Sequence, residues 1–247
     1  MSLQKSPVSA SFPNRLGGRV DMLTPTWLAA EDSLSVGAVH GELSVGPMSS
    51  QGTLRLPIGK RSLLLLSARA AYLNLLYSKW LEVDGDEVKY DFSDYNLSYI
   101  TQLDDANVLK FEGYWGYDKM KIGQACHGLQ GKLKWNNTMA ALHWYSRSKH
   151  GENEGRKDWL MEQMVYYSRY ANRLNLNEYS FQVGMRSFIF DLGYKGNFSC
   201  GRWRMGAEVV RHQLLPQDIG ISGNLANHQT DTQHQQSMEA SAYLPHR

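Results

Sequence analysis

Apolar and polar residues alternate with a period of two in segment after segment of this 247-residue chain. That pattern belongs to strands lying between two unlike surroundings, because successive strand side chains point to opposite faces. Leu109, Phe111, Trp115 and Tyr117 share one face with Gly113, while Lys110, Glu112 and Asp118 share the other beside Tyr114. Tyr95, Leu97, Tyr99 and Leu103 oppose Asp94, Asn96, Ser98 and Gln102, with Ile100 the one misfit. Leu129, Leu133 and Trp135 oppose Gln130, Lys132 and Lys134; Ala140, Leu142 and Trp144 oppose His143, Tyr145 and Arg147. Trp203, Met205, Ala207 and Val209 oppose Arg202, Arg204 and Glu208; Val39, Leu43 and Val45 oppose His40, Glu42 and Ser44. Such strands are half-buried.

Two segments are ambiguous by propensity. Residues 61–77 are rich in Leu and Ala, good helix formers, but Leu64, Leu66, Ala68, Ala70 and Tyr72 share a face against Ser67 and Arg69, which predicts a strand. Residues 161–175 read as loop running into strand. Between 179 and 194 the apolar positions change from odd to even, which calls for a bulge or break near Arg186–Ser187. Short turns are expected at 59–61, 104–107, 136–138 and 196–201, and long polar connections at 78–91, 119–128, 146–159 and 213–238. Short and long connections in alternation, joining strands of about 9–11 residues, are the pattern of an up-and-down antiparallel transmembrane β-barrel. The expected fold is therefore all-β, with about nine or ten strands of a larger barrel.

Composition agrees and excludes other classes. Fourteen Tyr, seven Trp and seven Phe with 22 Gly lean towards β structure. Lys and Arg number 26 against 24 Asp and Glu, with no block of like charge, so no nucleic-acid footprint is present. The apolar run Leu63–Leu66, bracketed by Arg61 and Arg69, is far short of the roughly 20 residues of a transmembrane helix. The first residues have no apolar run of the length a secretory signal needs. Aromatic residues gather near the expected long-loop ends, as Tyr72, Tyr77 and Trp80, then Tyr114, Trp115 and Tyr117, then Trp144 and Tyr145. They read as an interfacial girdle at headgroup level.

Several short motifs, in order, resemble the TonB-dependent outer-membrane receptors, particularly of the Bacteroidetes type. Phe12–Val20, with Gly17, Gly18 and Arg19, looks like the closing strand of that family's plug domain. His40–Gly46, Leu54–Gly59 and Ser62–Leu76 are similar to its first three barrel strands, and Gly113–Asp118 to a strand end of the following hairpin. The resemblance implies residues 1–30 as the end of the plug and a linker, and residues 31–247 as the N-terminal portion of the barrel. It also implies active uptake of a metal chelate, cobalamin or glycan, outer-membrane lipid and the TonB complex as partners, and the cell outer membrane as location. No TonB box is recognisable, so the expectation is a segment of a receptor that does not transport alone. Alternatives are a small self-contained outer-membrane barrel serving as porin or adhesin, and a soluble β-sandwich binding module.

No catalytic, metal or cofactor set emerges. His40 and Glu42, two apart on one strand, lack a third ligand. His143, His212, His228 and His234 have no motif spacing and read as solvated polar surface, the last three in loops. Arg55, Arg69, Asp94, Lys110, Glu112, Lys132, Lys134, Arg204 and Glu208 are expected on the lumen face, where charge is tolerated. Cys126 and Cys200 are expected at opposite strand ends, too far apart to pair.

Overall fold

The computed structural model describes residues 38–72, 86–123, 130–148, 158–178, 180–223 and 232–244, with Asn74 and four short strand segments. Ten antiparallel strands follow one another in a single sheet. They are β1 (His40–Val45), β2 (Ser49–Ile58), β3 (Ser62–Ala71), β4 (Asp86–Gln102) and β5 (Asn107–Ile122). The remaining five are β6 (Gln130–Ser148), β7 (Trp159–Asn177), β8 (Phe181–Cys200), β9 (Trp203–Gly223) and β10 (Gln235–Tyr243). Each pairs with its neighbours in sequence, so the sheet is an up-and-down meander. A sandwich needs two sheets whose oily faces meet; all ten strands here lie in one, which overturns the β-sandwich reading. Of the short segments, Arg19–Asp21 pairs with Ser2–Gln4, Glu82–Val83 with β4 and His228–Gln229 with β9.

The Leu-rich segment is the strand β3, as its alternation predicts. Several expectations fail. Residues 136–138 are not a turn but the middle of the 19-residue β6, and residues 161–175 are not loop but the body of β7. Strands also run through 86–91, 119–122, 196–200 and 213–223, where connections or a turn are expected. Consequently, connections 59–61, 103–106, 149–158 and 201–202 fall at one rim, here called lower, and 46–48, 72–85, 123–129, 178–180 and 224–234 at the upper rim. The long connection 149–158 thus joins short ones, and strict alternation of loop length does not hold. At the lower rim Gly59 and Gly201 sit in the left-handed region, at φ 67° and 58°, which glycine enters without a Cβ penalty.

Strands that outlast the oily band explain most of these failures. In-register partners share a face, so the ladders place Leu56, Leu64, Tyr99, Phe111, Leu142, Val165, Tyr194 and Val209 on one surface of the sheet. Lys110, His143, Met164, Lys195 and Glu208 lie in one rung of the other. The oily surface is uncovered: Leu142, Val165 and Leu192 are 44, 50 and 46% exposed. On β7 the outward positions run from Trp159 to Ala171, apolar but for Gln163 and Arg169, with Arg211 of β9 beside Leu192; at roughly 3.3 Å per residue and a tilt of about 45° this is a height of about 28 Å. A barrel's lipid-facing band is about 25 Å.

Above that band the chemistry of the two faces exchanges. Lys119, Lys134, Arg173 and Arg186 form the next outward rung. Met120, Leu133, Leu174, Met185 and Ile219 form an inward one. A strand that outlasts the band therefore shows an oily face that changes parity with no break in the strand. This is why 136–138 resembles a turn. It also accounts for the change near Arg186–Ser187, where β8 stays in register with β7 while the extra residue lies in β9, at Pro216–Gln217 opposite Ser187. Lys132 and Lys134 face outward above the band, not into the lumen, for the same reason.

The misfit Ile100 points to the polar face near the lower rim, where it and Val108 are 1% exposed and pack under Tyr145. This small cluster is the buried apolar core among the described residues.

Candidate functional site on the polar face

The polar face carries a network of paired polar and charged groups across β5 to β10. Lys110, only 3% exposed, places Nζ 2.9 Å from Glu112 Oε1. His143 Nε2 lies 3.1 Å from Glu112 Oε2, and its Nδ1 lies 3.8 Å from Glu162 Oε1. The Tyr145 ring stacks on His143 at 5.8 Å with its hydroxyl 3.3 Å from Nδ1. Asn197 Nδ2 donates to Glu162 Oε2 at 3.2 Å, and Tyr243 donates to Asn197 Oδ1 at 2.7 Å. Tyr166 donates to Glu208 Oε1 at 3.0 Å, with Lys195 Nζ 3.4 Å from Oε2. The buried Lys110 and Lys195 thus each have a carboxylate partner, the condition under which burial is tolerated.

Glycine makes part of this possible. Tyr166 reaches Glu208 by lying across Gly193, where an added Cβ would fall inside the Tyr166 ring's contact envelope. Asp94 gathers a second group: Arg69 Nε donates to its Oδ2 at 2.9 Å and Tyr114 donates to its Oδ1 at 2.9 Å, with Arg69 4.9 Å above the Phe92 ring. A third lies in β8 to β10. His212 is in a strand, not a loop, with Nδ1 2.7 Å from Asp191 Oδ1 and Nε2 3.6 Å from Glu239 Oε2. Both ring nitrogens face carboxylates, so His212 acts as a polar bridge.

Of the aromatic residues singled out above, Trp115 and Tyr117 face outward at the top of the oily band, stacked in series with Tyr95 at 5.2 and 6.4 Å. Trp144 faces outward near the lower rim, donating from Nε1 to Asn107 Oδ1 at 3.1 Å. Tyr114 and Tyr145 face the polar side. Tyr72 follows β3 and donates to Gly46 O while accepting from Ser50 Oγ at 3.1 Å. Tyr77 and Trp80 lie outside the described residues, as do Gly17 and Gly18; Arg19 lies in the segment paired with Ser2–Gln4. His40 pairs in register with Arg55 on the edge strand β1, and Glu42 with Thr53. Among the described residues no cluster of three or more His, Cys, Asp or Glu has metal-holding geometry. Cys200 is a free thiol at the lower end of β8, and Cys126 lies outside the described residues.

Sequence reading placed Lys110, Glu112 and Glu208 on this face but did not find Glu162, Asn197, Tyr243, Asp191 or Glu239. Their signal is cross-strand register, which alternation within one strand does not contain.

No protein-family model and no curated protein matches the chain. Among solved structures it is similar to the ferric yersiniabactin uptake receptor FyuA of Yersinia pestis, with a TM-score of 0.52 at 11% sequence identity. The similarity covers 83% of this chain and 38% of that one, so this chain spans less than two fifths of the receptor it matches. The likeness is one of fold, a β-barrel wall.

Proposed function

We propose that the chain is a segment of an outer-membrane TonB-dependent receptor that takes up a scarce nutrient, a metal chelate, cobalamin or a glycan. The observation that carries this reading is a predominantly oily outer face of bilayer height, bounded above by a charged rung and backed by a face of paired polar and charged groups. Bilayer hydrocarbon favours strands whose outward residues are mostly apolar and requires a backbone paired within the sheet. Residues 31–247 would form the N-terminal portion of the barrel and residues 1–30, with Gly17, Gly18 and Arg19, the end of the plug and a linker.

On this reading Tyr95, Trp115 and Tyr117 form part of the upper aromatic girdle, and Trp144, Trp159 and Trp203 part of the lower. The polar face is where a plug and the passing solute would dock. Ser98 Oγ, buried there without a hydrogen-bond partner among the described residues, is a position that a docked domain would satisfy. The TonB complex would act on the intact receptor. The upper rim, with connections 72–85, 123–129 and 224–234, would face outward, since external loops of such barrels are the longer ones.

The test is an immunoblot of native cell fractions with an antibody raised to residues 149–159. A band well above 28.1 kDa in the outer membrane is expected. A 28.1 kDa band there would instead indicate a small self-contained barrel, and a soluble band would contradict the membrane reading.

A further inference from the structure

Immediately above the oily band, on the surface that continues it, lies a patch of positive charge that no interaction within the fold requires. Lys119 and Lys134 are direct partners on β5 and β6, and so are Lys121 and Lys132 one rung higher. Four ammonium groups thus stand in a two-by-two array, strands about 4.8 Å apart and rungs about 6.7 Å apart. Like charges placed opposite one another on a sheet destabilise it. The Lys134 ammonium, with Lys121 and Lys119, holds Lys132 below the ordinary lysine range.

Nearby acids leave the array net positive. Asp218 is engaged by Arg186, whose Nε donates to it at 2.5 Å. Asp91, opposite Lys119 on β4 and hydrogen-bonded by the uncharged Asn74, sets a single carboxylate against the four ammonium groups. Among the described residues none of the four lysines has an ion pair. Beside the array a groove of about 390 Å³ opens on the same surface. Its middle is apolar, from Tyr117, Ala171 and Phe188, its upper edge is cationic, from Lys134, Arg173 and Arg186, and Arg169 lies one rung below Ala171 at its lower end. His234 covers one end, its ring 5.4 Å from Phe188.

We propose that this outward-facing array, Lys119, Lys121, Lys132 and Lys134, binds the headgroup of a lipid carrying at least two phosphates, with an acyl chain lying in the adjoining groove. The proposal rests on the membrane reading above, which sets the array at headgroup depth. An ammonium pair on each rung matches one phosphate per rung, since charge-assisted hydrogen bonds to phosphate are short and favour several donors. Clustered basic residues beside a hydrocarbon surface are the usual means of holding anionic lipid. A soluble polyanion would need the charges alone and would leave the apolar wall unused.

The experiment uses the full chain folded into phosphatidylcholine vesicles, with insertion first checked by protection of the strands from protease. Diphosphoryl lipid A, its monophosphoryl form and phosphatidylglycerol are titrated in, and inorganic pyrophosphate is added as a competitor. Diphosphoryl lipid is expected to bind tightest and to resist pyrophosphate. Replacing the four lysines with glutamine should weaken that binding by at least about tenfold, and replacing them with arginine should retain it. Equal binding by the glutamine variant, equal binding of the three lipids, or full displacement by pyrophosphate would overturn the proposal. If the glutamine variant does not insert, salt decides with the unaltered protein: binding that falls as salt rises supports the site, and binding indifferent to salt overturns it. If the chain inserts only within the larger wall that the receptor reading gives it, the same titration on that wall decides by the same outcomes, and insertion without lipid selectivity would remove the proposal while leaving the membrane reading.

Discussion

Leu142 and Met139 sit three residues apart on β6 with nearly the same exposure, 44 and 43%, yet they face opposite surfaces. In a water-soluble sheet lysine at either position would cost little. In a lipid-facing band Leu142→Lys should cost about 2–4 kcal/mol, whereas Met139→Lys, on the polar side, should change stability far less. Urea titration of both variants folded into vesicles measures the difference. Gly193 offers a second residue-scale test. Gly193→Ala puts a methyl where the Tyr166 ring lies, so the ring must swing away from Glu208. We expect a loss of about 1–3 kcal/mol, larger than that of Tyr166→Phe, which removes the hydroxyl and keeps the ring.

At the scale of elements, β6 contains both what the sequence made legible and what it concealed. Its upper half is oily at Leu133 and Trp135, its lower half at Leu142 and Trp144, and each half reads correctly as a strand by alternation. The change of parity between them reads as a turn because a strand crossing from one solvent environment to another is indistinguishable, in one dimension, from two strands. Asn136 and Asn137, common turn residues, strengthen that impression. A short Gly/Ser insertion between Asn137 and Thr138 should therefore abolish folding into vesicles, while the same insertion between Gly201 and Arg202, at a true hairpin, should be tolerated. The bodies of β3 and β5 were legible because their alternation is unbroken within the band, whereas the top of β5, residues 119–122, reads as loop because its outward face is charged. The networks around His143 and His212 were not, because their carboxylates come from neighbouring strands.

The hairpin between β4 and β5 carries a pH dependence of its own. Asp104 accepts hydrogen bonds from Asn107 Nδ2 at 2.9 Å and from the Ala106 amide at 2.8 Å. Asn107 first, then the Ala106 amide, holds the carboxyl below the usual carboxylate range. A carboxyl depressed in the folded state stabilises above its unfolded pKa, and that contribution is lost as pH falls through the folded value. Asp104→Asn should thus be less stable than the parent at neutral pH, and the gap should close on acidification through the carboxylate range. Thermal unfolding of the two proteins across that range checks the sign.

For the whole molecule, the governing fact is a sheet whose oily surface is left largely uncovered by the described residues. Among the described residues β1 and β10 each have one paired neighbour, and open edges of this length in lipid are costly unless something pairs with them. The similarity covers 38% of the uptake receptor, so that receptor extends well beyond the part that matches. The central claim is that one face of this sheet meets hydrocarbon, that the other meets water, and that the arrangement reverses above the band. A nitroxide scan along β6 in vesicles tests it most directly, reading collision with oxygen, which concentrates in lipid, and with a nickel chelate, which stays in water. Labels at Thr138, Ala140, Leu142 and Trp144 should favour oxygen, and those at Asn137, Met139, Ala141 and His143 the chelate, with Lys132 and Lys134 reached by the chelate on the outer surface. Equal chelate access to both faces along the whole strand would contradict it.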